Sequence, residues 1–243
     1  AMHLSMSEEM HSYDLEDQER RRFNPIVEES KLLKQEITTI FKATVDIETD
    51  IADIANHGEY SILLVGLGKS IFEGTLLGKV LGFTTRIINP DRLIDKFTGK
   101  EGLFENSPFD ERTRQIISKS KIPLGILIDK NLKDVNQVFI PVFNAEDVFL
   151  MEYAQKLVYN NNSTVSILDV NTTYGTNFVV ESTISSLNEK YPENIILISE
   201  KTIRKEFLTK LDLMVVSLES WKTLVDSQST WLTNVPSVLI IKP

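Results

Sequence analysis

The chain has 243 residues, 42% of them hydrophobic and 25% charged, so it is long and apolar enough to bury one large core or two small ones. Its net charge of −9 and pI of about 5.0 oppose binding to nucleic acid or to anionic lipid. The absence of cysteine excludes disulfides, thiolate metal sites and cysteine nucleophiles. No run approaches the roughly 18 to 20 apolar residues that a membrane-spanning helix needs, so we expect a soluble chain.

Residues 1–24 are polar, rich in Glu, Asp and Arg, and lack a hydrophobic period. This composition predicts a polar arm or a surface loop. The basic run at residues 20–22 could face phosphates or lipid headgroups, but its acidic neighbours favour a solvated, self-paired segment. Pro25 predicts the start of a helix that runs to about Lys34, because proline is tolerated in a first helical turn.

From Glu36 onward, short apolar runs alternate with helical periods, which is the pattern of a parallel α/β sheet. We assign residues 25–134 to a first unit, with a long insertion at residues 67–106. Its predicted strands are residues 37–43, 61–66 and 122–129, and its predicted helices are residues 46–56 and 108–120. The opening β-α-β of a doubly wound plan is missing from this unit, so we interpret it as truncated at its N-terminus.

Residues 135–243 repeat the alternation in full, with crossovers long enough to be helical and right-handed. This predicts a complete second unit. Its predicted strands are residues 138–143, 164–170, 194–199, 212–216 and 237–241, and its predicted helices are residues 145–159, 177–190, a short one ending at 208, and 218–232. The fold class is therefore α/β, with two Rossmann-like parallel-sheet units.

One glycine-rich segment after a buried strand is typical of a phosphate-binding loop. It contains Gly66, Gly68, Lys69 and Ser70, but the earlier glycine that a P-loop requires is replaced by Leu63. A dinucleotide-binding fingerprint is also incomplete, since no glycine follows at the third position. Nucleotide hydrolysis is therefore not expected here, although the backbone N–H groups could still bind an anion.

A second candidate site follows from the predicted second sheet. In a doubly wound fold, ligands bind at the carboxyl ends of the strands, which here are polar and mostly uncharged. The residues concerned are Phe143, Asn144, Ala145, Asn171 and Ser217. They could hold an adenosine, but no nucleophile, general base or metal-ligand cluster accompanies them, so we do not expect an enzyme.

Four segments resemble a known family. They are Asp46–Ala55, Ser61–Gly66, Ile122–Asp129 and Val138–Asp147. Their order resembles the cytosolic tail of monovalent cation:proton antiporters of the second subfamily, the Na⁺/H⁺ or K⁺/H⁺ exchangers, which carries two tandem universal-stress-protein-like units. The resemblance covers roughly residues 36–243.

The resemblance implies a non-catalytic regulatory domain at the cytoplasmic face of the inner or plasma membrane. Its implied partners are its own transmembrane antiporter domain, absent from this chain, and a second copy in a homodimer. A ligand, if there is one, would be ATP, AMP or a cyclic dinucleotide, yet the family's glycine-rich nucleotide motif is replaced in the second unit by residues 217–220. The alternative is a free-standing tandem universal stress protein that binds ATP or a related nucleotide.

Overall fold

The structure is a computed structural model that describes residues 2–6, 15–68, 76–83, 109, 111–199, 203–227 and 229–243. Its elements in chain order are β1 (Met2–Met6), α1 (Leu15–Leu32), β2 (Ile40–Thr44), α2 (Ile47–His57), β3 (Leu63–Leu67), α3 (Leu76–Val80), α4 (Glu111–Lys119), β4 (Leu124–Ile128), β5 (Gln137–Val142), the 3-10 helix η1 (Ala145–Phe149), α5 (Leu150–Asn161), β6 (Thr164–Asp169), α6 (Phe178–Lys190), β7 (Ile195–Ile198), α7 (Lys205–Leu208), β8 (Leu213–Ser217), α8 (Leu218–Asp226), the 3-10 helix η2 (Thr230–Thr233) and β9 (Ser237–Lys242). None of the described helices has the length and apolar character that a membrane span requires.

The chain divides into two compact units. Unit 1 comprises Ala1–Tyr60 and Glu111–Lys121, and unit 2 comprises Ser61–Asp110 and Ile122–Pro243. This division differs from the predicted boundary between residues 134 and 135. The reason is that β3 and β4, which were predicted to belong to the first unit, pair in one sheet with the strands of the second.

In unit 1, β1 pairs in parallel with β2, and α1 connects them. The chain therefore opens with a β-α-β, contrary to the interpretation that such an opening is missing. The prediction of a polar arm or loop over residues 1–24 is therefore wrong at residues 2–6 and 15–24, which lie in β1 and α1. Helix α1 has Pro25 in its interior rather than at its start. Its first ten residues are rich in Glu, Gln, Arg and Leu, which favour a helix by intrinsic propensity without a clear apolar period, and Phe23 is buried at 5% exposure.

Helix α2 of unit 1 confirms the helix predicted at residues 46–56. Asp46 caps its N-terminus, with Oδ1 accepting a hydrogen bond from the backbone N–H of Thr49 at 3.0 Å. At the other end, the N–H of Gly58 donates to the carbonyl of Ile54. The small residues Ala52 and Ala55 are buried on one face of the helix, and α2 packs against α4.

Unit 2 is built on a seven-stranded sheet of order β3-β4-β9-β8-β5-β6-β7. Every neighbouring pair is parallel except β4 and β9, which are antiparallel. The predicted α/β fold with a mostly parallel sheet is therefore confirmed, and the five strands predicted for residues 135–243 are all present as β5 to β9. β4 and β9 run in opposite directions, so the carboxyl ends of β3 and β4 lie on the opposite side of the sheet from those of β5 to β9. Each of these two sides, formed by strand ends, is called an edge below.

Helices cover both faces of the strands β5 to β8. On one face, α5 and α6 pack on a core that includes Val138, Ile167 and Val215. On the other face, Phe139 contacts the rings of Phe207 and Trp231.

Two helix predictions in the second unit need adjustment. The helix predicted at 145–159 starts as the 3-10 helix η1 and ends at Asn161, and the one predicted at 218–232 is two elements, α8 and η2. Within the predicted insertion at 67–106, the described residues contain α3.

Candidate functional site

The residues predicted to bind a ligand fall at two opposite edges of the unit 2 sheet. Phe143, Asn144 and Ala145 follow β5, Asn171 follows β6, and Ser217 ends β8, all at one edge. Gly66 and Gly68 lie at the end of β3, which is the other edge. The fold therefore does not bring the two groups together. Lys69 and Ser70 lie outside the described residues.

At the end of β5, the chain enters η1 through a reciprocal cap. The side chain of Asn144 accepts a hydrogen bond from the N–H of Asp147 at 3.1 Å. In return, Asp147 Oδ2 accepts from the N–H of Phe143 at 2.8 Å and from that of Asn144 at 3.3 Å. This capping box explains why the sequence turns sharply here, because it satisfies backbone donors that a helix start leaves without partners. The side-chain oxygen of Asn144 is thus engaged within the protein.

Asp147 is buried at 1% exposure, and its carboxylate also contacts α8, the helix that follows β8. The hydroxyl of Ser220 in α8 donates to Asp147 Oδ2 at 2.8 Å. Ser217 in turn caps α8, since its Oγ accepts from the backbone N–H of Ser220 at 3.1 Å. The ends of β5 and β8 are therefore linked by a closed set of hydrogen bonds in which Ser217 has a structural role. Asp147 and Ser220 were not among the predicted site residues, although the Asn-x-x-Asp spacing of a capping box was present in the sequence.

The loop after β6 is held by a second carboxylate. Asp169 Oδ1 accepts from the backbone N–H of Thr173 at 2.9 Å and from its hydroxyl at 2.8 Å. Asn171 Nδ2 donates to the carbonyl of Phe143 at 2.7 Å, so its amide ties this loop to the end of β5. Thr172 and Gly175 adopt positive φ angles of 59° and 83°, which let the loop turn back toward α6.

Aromatic residues pack behind this edge. Trp231 in η2 lies 6.1 Å from Phe143 and 5.9 Å from Phe139, measured between ring centroids. Trp221 in α8 is completely buried, and within the described part of the chain no acceptor pairs with its Nε1–H. Both tryptophans therefore belong to the packing of unit 2.

The charges at this edge disfavour an anionic ligand. The buried carboxylate of Asp147 and the exposed side chains of Glu146 and Glu219 lie in the first turns of η1 and α8. These are the helix positions that would otherwise attract a phosphate. Among the residues that the structure describes, no group of three or more His, Asp or Glu side chains could hold a metal ion.

The opposite edge, at the end of β3 and β4, has a different character. Gly66 and Gly68 are exposed, and a Cβ atom added to Gly66 would meet no atom within 4 Å. Lys130 follows β4, and its Nζ donates to the carbonyl of Val235 at 2.7 Å. Burial of this ammonium group lowers its pKa. The open backbone at Gly66 and Gly68, which no carboxylate cap occupies, makes this edge the better of the two for an anion, whereas Lys130 is directed to Val235.

A separate groove of about 530 Å³ lies between the end of η1, the first half of α5 and the middle and end of α6. Its floor includes Phe149, Met151 and Leu187, and its rim includes Glu152 and Lys190. None of the residues that sequence reasoning selected lines this groove.

No protein-family model matches the chain, and no curated protein matches it either. Among solved structures, it is similar to PA1789 from Pseudomonas aeruginosa PAO1, a functionally unknown protein, at 11% identity and a TM-score of 0.47, over 92% of this chain and 78% of that one. It is also similar to a protein of Pseudomonas aeruginosa UCBPP-PA14 that is provisionally named a universal stress protein. That match has 10% identity and a TM-score of 0.43, over 90% of this chain and 77% of the other.

Proposed function

We propose that this chain is a non-catalytic regulatory domain that acts on the membrane part of a monovalent cation:proton antiporter from its cytoplasmic side. The observation that carries the proposal is the closed hydrogen-bond set of Asp147, Ser217 and Ser220 at the carboxyl edge of β5 and β8. This edge is where a doubly wound fold binds a substrate, and here its polar groups bind one another. The proposed partners are the antiporter's own transmembrane part and a second copy of this chain.

The resemblance of residues 36–243 to antiporter tails supports this proposal, as does the net charge of −9, which opposes independent binding to anionic lipid or nucleic acid. A domain of this kind regulates transport only if it packs differently against the two conformations of the transporter. The domain therefore acts by packing and needs no chemistry of its own.

The first test is the gene. We expect the reading frame upstream of Ala1 to encode several apolar membrane spans joined in frame to this chain. A stop codon directly upstream, followed by a start codon at the beginning of the chain, would sink the antiporter assignment.

The second test is transport by the full protein in everted membrane vesicles, with proton movement followed by acridine orange fluorescence after addition of Na⁺ or K⁺. Deleting residues 36–243 should shift the half-saturating cation concentration by about fivefold or more, which is the usual scale of an allosteric coupling. A deletion variant that transports with unchanged cation and pH dependence contradicts a regulatory role. Tyr159→Ser, a change of an exposed side chain at the end of α5, serves as the control that should preserve regulation.

A free-standing nucleotide-binding protein is the second candidate, and the open end of β3 favours it. Gly66 and Gly68 are exposed at the end of β3, where backbone N–H groups can bind a phosphate. Calorimetric titration with ATP, AMP and a cyclic dinucleotide should then give saturable heat, and Gly68→Pro should weaken it by removing one backbone N–H, whereas absence of heat with all three removes this candidate. Neither candidate predicts release of phosphate from ATP.

A further inference from the structure

Helices α5 and α6 of unit 2 pack side by side on one face of the sheet and contribute to the same core. The groove of about 530 Å³ described above lies between them and is here called the α5–α6 groove. This volume falls within the range of about 300–1,000 Å³ that small-molecule sites occupy. The inner faces of both helices are fixed by the core, since Ala154 and Ile184 are buried.

The floor of the α5–α6 groove is apolar and continuous with the core. Met151 and Leu187 are buried at 3% and 5% exposure. Phe149 packs edge-on against Tyr153, with ring centroids 6.4 Å apart. An aliphatic chain that lies in the groove would therefore exchange water for hydrocarbon along its length, which favours binding.

Helix α6 presents polar side chains along one wall of the groove. Thr183, Ser186 and Lys190 line it at positions i, i+3 and i+7, which fall on one face of a helix. Gln155 lines it from α5. Within the described residues, the hydroxyls of Thr183 and Ser186 and the amide of Gln155 make no hydrogen bond to the protein, so they are available to a ligand.

The two charged groups at the rim of the groove differ in how they are paired. Glu152 forms an ion pair with Lys156 at 2.7 Å, which balances its charge. Lys190 has no carboxylate partner in the part of the chain that the structure describes, and its ammonium lies 5.2 Å from the ring centroid of Tyr191. A cation–π contact of this kind positions the ammonium and leaves its charge in place. The groove therefore offers one uncompensated positive charge beside an apolar floor.

We propose that the α5–α6 groove binds an amphipathic monocarboxylate, with its carboxylate on the ammonium of Lys190 and its aliphatic chain along Met151 and Leu187. The hydroxyls and the amide that line the groove can donate further hydrogen bonds to the carboxylate. A cationic head group would be repelled by Lys190, and a doubly charged phosphate would meet one cation with Glu152 on the same rim. This inference is independent of the proposed function.

The test is an NMR titration of the whole ¹⁵N-labelled chain with three probes that share one aliphatic chain, namely decanoate, decanol and decylammonium, each below its micelle threshold. Decanoate should shift the amide signals of Gln155, Ser186 and Lys190 saturably. Decanol lacks the charge and should bind about fivefold more weakly or less still, because a charge-assisted hydrogen bond is lost. Decylammonium should not bind.

Three variants locate the site. Lys190→Met removes the ammonium and should weaken decanoate binding by about fivefold or more, with decanol binding unchanged. Lys210→Met is the matched control, because it removes an exposed lysine outside the groove, in the turn between α7 and β8, and should leave decanoate binding unaltered. Ser186→Phe fills the groove from an exposed position and should abolish binding of both probes. Circular dichroism of each variant checks that it folds.

Several results would overturn the proposal. One is a decanoate titration that does not saturate, or that shifts only amides outside α5, α6 and η1. Another is equal affinity for decanoate and decanol, which would show that the groove does not select a carboxylate. Equal losses of affinity for Lys190→Met and Lys210→Met would exclude Lys190 as the group that binds the carboxylate.

Discussion

Strands β3 and β8 occupy equivalent positions on either side of the antiparallel β4–β9 pair, yet one is exposed and the other is buried. Counting outward from the centre of the β4–β9 pair, Leu64 corresponds to Val215 and Gly66 to Ser217. Val215 of β8 is 0% exposed, and its counterpart Leu64 of β3 is 59% exposed. Both strands have the composition of a central strand, so composition does not distinguish them. The exposed fraction of a side chain in these two strands therefore depends on whether its strand pairs with one other strand or with two.

The carboxyl ends of the two strands also differ in how far they are enclosed by the protein. β8 leads directly into α8, where Ser217 and Ser220 are tied to the buried Asp147. β3 leads to Gly66 and Gly68, which are exposed. One end is closed by structural hydrogen bonds, and the other is open.

The largest expected effect comes from placing a charge at the two equivalent positions. Val215→Asp should lower the free energy of unfolding of unit 2 by more than about 4 kcal/mol, because it buries an unpaired carboxylate. Leu64→Asp should change it by less than about 0.5 kcal/mol. Urea unfolding followed by tryptophan fluorescence measures both, since Trp221 and Trp231 both lie in unit 2. Equal losses of unfolding free energy for the two variants would contradict the difference in burial between β8 and β3.

A smaller effect is expected from Asp147, which closes the β8 end. Asp147→Ala should lower the free energy of unfolding by about 2–4 kcal/mol, because the N–H of Phe143 and the hydroxyl of Ser220 lose their buried acceptor. The exposed neighbour provides the control, and Glu146→Ala should stay within about 0.5 kcal/mol of wild type. The same urea titration measures both variants. Similar midpoints would show that the Asp147 carboxylate contributes little to the stability of unit 2.

Substitutions at the equivalent positions Ser217 and Gly66 should change the free energy of unfolding in opposite directions. Ser217→Ala should lower the free energy of unfolding by about 1 kcal/mol through the loss of the α8 cap. Gly66→Ala should raise it by up to about 1 kcal/mol, because the added methyl group meets no atom and the unfolded chain loses freedom. A destabilising Gly66→Ala would mean that the end of β3 is less open than its geometry indicates.

The smallest effect concerns Asp50 of unit 1, a half-buried carboxylate to compare with the fully buried Asp147. A hydrogen bond from Thr44, followed by the interaction with Lys42 at 2.9 Å, holds the pKa of Asp50 below its ordinary value. Since the folded pKa is the lower one, the contribution to stability is present above the unfolded pKa of about 3.9 and is lost as the pH falls through the folded pKa. An NMR titration should show this lowered pKa.

Two variants sharpen that titration. Thr44→Val should raise the pKa of Asp50 more than Lys42→Met does, because the Thr44 hydrogen bond is the larger cause. The reverse order would assign the shift to the ion pair instead.

Local signals were sufficient for much of the fold. The apolar runs predicted β4 to β9 to within about two residues, because strands that are buried on both faces are continuous in sequence. The helix predicted at residues 46–56 rests on Ile47, Ile51 and Ile54, which recur at helical spacing, because amphipathic periodicity acts within a few residues. The candidate site residues at the ends of β5, β6 and β8 were placed correctly at one edge for the same reason.

Other features depended on partners distant in sequence. Residues 2–6 form a strand because they pair with β2, some forty residues away, and no local pattern indicates this. Asp147 was overlooked because its link to Ser220 spans 73 positions. No local pattern indicates the antiparallel pairing of β4 and β9, which places Gly66 and Asn171 at opposite edges of the sheet.

The sequence by itself determined the alternation of strands and helices, the caps of α2 and η1, and the uncharged, aliphatic character of both β3 and β8, since each of these depends on neighbours a few residues apart. Only the tertiary structure decided that β4 and β9 pair antiparallel and that β3 lacks a second neighbour among the described residues. The physical reason is that strand pairing joins segments whose separation in sequence carries no local signal, and their order in the sheet fixes which backbone groups stay open.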